Sequence, residues 1–61
     1  MNQVERRLEV LKRARKIDKA LETIRDKVYI GEPPNLNLVD DIIGEAEVMK
    51  VHCTEIRRAF A

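Results

Sequence analysis

The stretch YIGEPPNLNLVDD, Tyr29 to Asp41, holds both prolines and one of the two glycines of a 61-residue chain. It decides the fold, because little else in the chain interrupts a helix. Gly31 stands where the residue after a helix end adopts the left-handed conformation, and Pro33 follows two positions later, as helix stops often show. Pro34 holds the chain extended and biases Pro33 away from the α region. Asn37 is the expected N-cap of a second helix, with Asp40 and Asp41 in its first turn facing the positive end of the helix dipole. A Pro-Pro pair can also serve proline-recognition domains, but no PxxP pattern accompanies it and the capping logic accounts for the residues.

Both flanks carry helical periodicity. Before the loop, Val10, Ala14, Ile17, Leu21, Ile24 and Val28 recur at steps of four and three, which places them on one helix face. Asn2 followed by Glu5 has the form of a capping box. After the loop, Val39, Ile42, Ala46, Met49, Cys53, Ile56 and Phe60 repeat the alternation as a heptad seam. The expectation is an all-α fold, an antiparallel two-helix hairpin dimerising into a four-helix bundle. One helical-hairpin domain spans 1–61, with helices over about 3–29 and 37–59 and a loop over about 30–36. A symmetric loop pairs residues whose numbers sum to about 66, so that Val28 faces Val39, Leu21 faces Ala46 and Ala14 faces Cys53.

Apolar residues also lie off these seams. Val4, Leu8 and Leu11 stand roughly 120° from the first stripe, and Gly44, Val48 and Val51 lie nearly opposite the second. Val4, Leu8, Leu11, Val48 and Val51 fall in the half of a hairpin away from its loop. A chain this short buries only about 60% of its unfolded surface, which leaves a solitary core marginal. Glycine inside a helix costs about 1 kcal/mol against alanine, so Gly44 suggests a close crossing. These six residues are the candidate interface for an oligomer, a dimer being expected, or for an unidentified protein partner.

Charged residues make up 38% of the chain, yet 12 Lys and Arg nearly cancel 11 Asp and Glu. The signs are segregated. Residues 1–19 carry seven cations against three acids, residues 50–61 three against one, and residues 20–49 two against seven. Folding a hairpin brings the two basic ends together and leaves the loop end acidic. Lys12, Arg15, Lys16 and Lys19 share one outward face of the first helix, and with Arg57 and Arg58 they are the candidate contacts for nucleic acid or an acidic partner. No aromatic residue interleaves them, so base stacking is not available from that face.

Catalytic chemistry finds no foothold. The chain has no serine, and its one cysteine, Cys53, occupies a seam position as a small buried apolar residue. His52 reads as a helix-surface residue near the basic end. The adjacent Asp40 and Asp41 diverge by about 100° and make no metal pair. No cofactor or metal is expected. A single thiol fits a reducing compartment. The amino-terminal segment lacks the apolar core of a signal peptide, and no membrane span is present. A cytoplasmic, non-enzymatic regulatory or adaptor protein acting through protein–protein interaction is the leading expectation, of the size of phage, plasmid or bacterial accessory proteins. The alternatives are a nucleic-acid-binding regulator using the basic end, and a structural subunit of a larger assembly. In shape alone such a chain looks like the plasmid-copy-control Rop family, dimeric four-helix bundles that bind RNA; no sequence motif is shared and no residue role is carried over.

Overall fold

The computed structural model describes residues 1–60 and consists of two antiparallel helices, α1 (Gln3–Tyr29) and α2 (Leu36–Arg58). At α1's start the Asn2 side chain accepts from the Glu5 backbone N–H at 2.8 Å, and the Asn2 amide reaches back to the Glu5 carboxylate at 3.4 Å. Asn2 thus caps the helix, and Glu5 meets its side-chain amide rather than the backbone N–H that a full capping box would use.

The end of α1 is a Schellman motif. Ile30 is the C-cap, and Gly31 follows at φ 79°. The Gly31 N–H donates to the Val28 carbonyl at 3.1 Å and the Glu32 N–H to the Lys27 carbonyl at 2.9 Å, the two reversed bonds that define the motif. The side chains of Lys27 and Glu32 close the same turn with an ion pair at 2.8 Å. Four residues without regular structure, Glu32 to Asn35, then lead into α2. Two of them are prolines, so this segment carries two fewer N–H donors in need of partners.

The N-cap of α2 is Asn35, whose side chain accepts from the Asn37 N–H at 2.9 Å. It is not Asn37, as the sequence suggests. Both asparagines precede an apolar run, and only Asn35 comes directly after the prolines, where its backbone is extended (φ −78°, ψ 113°). With the helix starting two residues early, Asp40 and Asp41 fall in its second turn, and the first turn holds no acid. The dipole argument for them does not hold.

The register also differs. Arg13 bonds Glu45 at 2.9 Å and Arg6 approaches His52 to 3.4 Å, so residues whose numbers sum to 58 face each other, rather than 66. Eight helical residues amount to about 12 Å. Four extended residues at about 3.3 Å each return the chain by the same distance, so the segment 32–35 runs back along the last turns of α1 instead of forming a symmetric cap. Val28 therefore does not face Val39, nor Leu21 Ala46, nor Ala14 Cys53.

No side chain of the described residues is fully buried. The hairpin measures 46 × 17 × 15 Å, the section of two helices laid side by side. Gly31→Ala puts a Cβ on a left-handed residue and is expected to cost about 1 kcal/mol. Thermal unfolding followed by circular dichroism should show the midpoint lowered by roughly 4–8 °C.

Candidate interaction surface

The line along which the helices touch overlaps the apolar seam only in part. On α1 the half-covered residues include Arg6, Val10, Arg13, Ile17, Ala20 and Ile24, and on α2 Leu38, Ile42, Glu45, Met49, His52 and Ile56. Each set steps by four and three without a miss, and each contains polar members. On a wheel of about 100° per residue, the apolar seam of each helix is turned some 40–50° from its contact line. In an antiparallel pair, rotations of the same sense lead to the same side of the molecule. Both seams consequently open onto one face of the hairpin.

That face is apolar. It carries Ala14, Leu21 and Val28 of α1 beside Ala46 and Cys53 of α2 and Phe60 just past its end. Leu21 remains 49% exposed, Val28 60% and Phe60 75%. Cys53 is exposed, contrary to the buried position expected of it. The Arg7 guanidinium lies over the Phe60 ring at 5.7 Å from its centroid, at the terminal end of this face.

The opposite face is polar. Between the helices it forms an open groove of about 460 Å³, floored by Ile17, Ala20, Leu38 and Ile42 and edged by Lys16, Lys19, Asp41 and Glu45. Beside it Arg13 donates to Glu45 at 2.9 Å and reaches Glu9, one turn earlier, at 3.5 Å. The hydrogen bond that Arg13 donates to Glu45, opposed in part by desolvation and aided by the charges of Glu45 and Glu9, raises the Arg13 pKa above its ordinary value. A raised folded-state value means that, as pH rises, this contribution persists up to the ordinary arginine range and fades only in strong alkali. One Arg13 atom, Nε, is shielded and without an acceptor. His52, half-covered rather than on the open surface, has its Nδ1 3.4 Å from Nη1 of Arg6.

The six candidate interface residues do not form one patch. Val4, Leu8 and Leu11 are 66%, 59% and 56% exposed and lie on the side of α1 about 180° from its contact line. Val48 is half-covered at the edge of the polar face, and Val51 is exposed further round α2. A Cβ at Gly44 would meet nothing within 4 Å, so no helix crosses closely there within the hairpin. Among the basic candidates, Lys12, Arg15, Lys16 and Lys19 are exposed together on α1. Arg57 and Arg58 lie at the far end of α2, some 17–28 Å along the axis by the register, and Arg58 pairs with Glu55 at 2.7 Å.

Arg6, Arg13, Glu45 and His52 escaped sequence reasoning because a search for apolar periodicity passes over polar members of a heptad. The available signal was Glu9 four residues before Arg13, and the unbroken steps 6–10–13–17 and 38–42–45–49. Among the described residues no three His, Cys, Asp or Glu side chains cluster as metal ligands, and no helix is long and apolar enough to cross a membrane.

The Arg13–Glu45 pair is checked by a double-mutant cycle. Glu45→Gln should lower the melting temperature at low salt, and lower it less when Arg13→Gln is already present. Additive losses would contradict the pairing. No family model matches the chain, and no curated protein and no solved structure is significantly similar to it, so the functional reading rests on this geometry.

Proposed function

We propose that this chain is a non-enzymatic helical-hairpin protein that acts by binding another macromolecule, as a small regulatory or adaptor protein. The observation that carries this reading is the absence of any buried side chain in the described hairpin, beside a continuous apolar face. Fully burying one leucine or valine is worth about 1.5–3 kcal/mol. A hairpin that leaves Leu21 and Val28 in water forgoes that contribution until a second surface covers them. The apolar face is the contact surface in this reading, with the outer strip of Val4, Leu8 and Leu11 standing apart from it.

A second reading is favoured by one observation. Lys12, Arg15, Lys16 and Lys19 form no ion pair among the described residues, whereas Arg13, Lys27 and Arg58 do. A row of uncompensated cations can track a phosphate backbone with weak sequence preference and steep salt dependence. Acids edge the neighbouring groove and no aromatic joins the row, which ranks nucleic acid below a protein contact. Titration with duplex DNA, single-stranded DNA and structured RNA near physiological ionic strength is expected to show only weak binding. Tight binding to one form, lost when the four are changed to Gln, would reverse the ranking.

The leading reading is tested by thermal unfolding of the isolated chain between about 1 and about 200 µM, with molecular mass measured in parallel. At the lowest concentration the chain should melt early or without cooperativity. It should gain stability only when its apolar face is covered, by its own kind or by another protein. A monomer that melts cooperatively at one high temperature throughout would overturn the reading, because its exposed face would then need no partner.

A further inference from the structure

Resting on that reading, we propose that the occupant of the apolar face is a second copy of this chain, docked face to face with its loop at the opposite end. Three observations point to this occupant. The first is angular. Both apolar seams are turned by a similar amount, some 40–50°, out of the plane of the two helices and toward the same side. In a four-helix bundle each helix touches two neighbours at right angles to each other, so its apolar seam must point about 45° from either contact line. A hairpin built to meet a single foreign helix would have its seams converge on the midline instead.

The second observation is area. A strip about 40 Å long and 17 Å wide offers roughly 700 Å² on each copy, or about 1,400 Å² in all, within the range of stable specific interfaces. A smaller ligand would leave most of it bare.

The third is charge, and it selects the orientation. At the terminal end the rim of the apolar face carries Arg7 on α1 and Lys50 and Arg57 on α2, with no acid among them. Toward the loop the α1 rim carries Asp18 and Glu22, with Arg25 the one cation beside them, one turn beyond Glu22. Two copies with loops at the same end would lay α1 along the partner's α2 and bring Arg7 level with a second Lys50 and Arg57. Opposing the loops runs α1 antiparallel along its own copy, setting Arg7 near the height of Asp18. Like charges repel across the first arrangement and opposite charges attract across the second. Ala14 and Ala46 then fall near the middle of the interface, where their small side chains let the hairpins approach.

Spin labels at Ile30→Cys, in a chain also carrying Cys53→Ala, read the arrangement directly. Ile30 is exposed at the loop and away from the apolar face. Pulsed electron resonance on the dimer should give a separation of about 45 Å, thirty helical rises from loop to loop. A separation below about 25 Å would mean loops at the same end and overturn the orientation. Sedimentation supplies the second arm. Leu21→Glu should weaken the dimer at least about a hundredfold, since each dimer loses two buried leucines, whereas Leu8→Glu on the outer strip should leave it within a few fold. The reverse ranking would overturn the assignment of the face. A monomer at all concentrations that is poorly folded would refute the second copy yet leave a foreign partner standing; a monomer that is well folded would refute both.

Discussion

Two helices laid side by side can cover only a narrow strip of one another. Everything else about this molecule depends on that constraint. Its helices are apolar over more than one strip, and the strip they use for each other includes Arg6, Arg13, Glu45 and His52. The contact joining the hairpin is therefore one-third polar, while the outer half of each apolar seam stands open on one side. A hairpin selected to be stable alone would place its seams between the helices. This one lays Val10, Ile17, Ile24, Ile42, Met49 and Ile56 along the contact and leaves the other half of each seam open, with polar pairs sharing the contact line. Arg13 with Glu45 holds the turn of each helix about its own axis, which aims the seams outward together.

The loop sets the other coordinate, the sliding of one helix along the other. Gly31 reverses the chain at a left-handed position, and Pro33 and Pro34 keep the return extended for long enough to draw α2 back by about two turns. This brings Arg13 level with Glu45 and Arg6 level with His52. Loop and ion pair thus agree on one register. The acidic loop end and the basic terminal end remain at opposite poles, which gives the molecule the polarity on which the proposed pairing of two copies draws.

Much of this was legible in the residues. The two helices, the stop at Gly31 and the cap at Asn2 follow from local chemistry that tertiary packing does not override, and the structure has them where that chemistry puts them. The seams were also legible, but not their use. Periodicity tells which residues share a helix face and says nothing about which neighbour that face meets. Assigning Ala46 and Cys53 to the contact inside the hairpin was the natural reading, and it placed them wrongly. The register was hidden for a different reason. A loop of Gly, Glu and two prolines can cap two helices symmetrically or return along one of them, and the choice depends on long-range pairs such as Arg13 with Glu45. The cap at Asn35 rather than Asn37 is part of that choice, because starting α2 early brings Leu38 into the contact line.

The central claim is that the face made by the two seams, and not the outer strip of α1, is where this protein meets its own copy. Isotope-filtered nuclear Overhauser spectroscopy on a mixture of labelled and unlabelled chains tests it most directly, since only protons of different copies within about 5 Å give cross-peaks, the scale of packed side chains. Cross-peaks between copies are expected from the methyl groups of Leu21, Val28 and Ala46, and none from Val4, Leu8 or Leu11. Cross-peaks confined to Val4, Leu8 and Leu11, or none from either set in a fully folded sample, would contradict it.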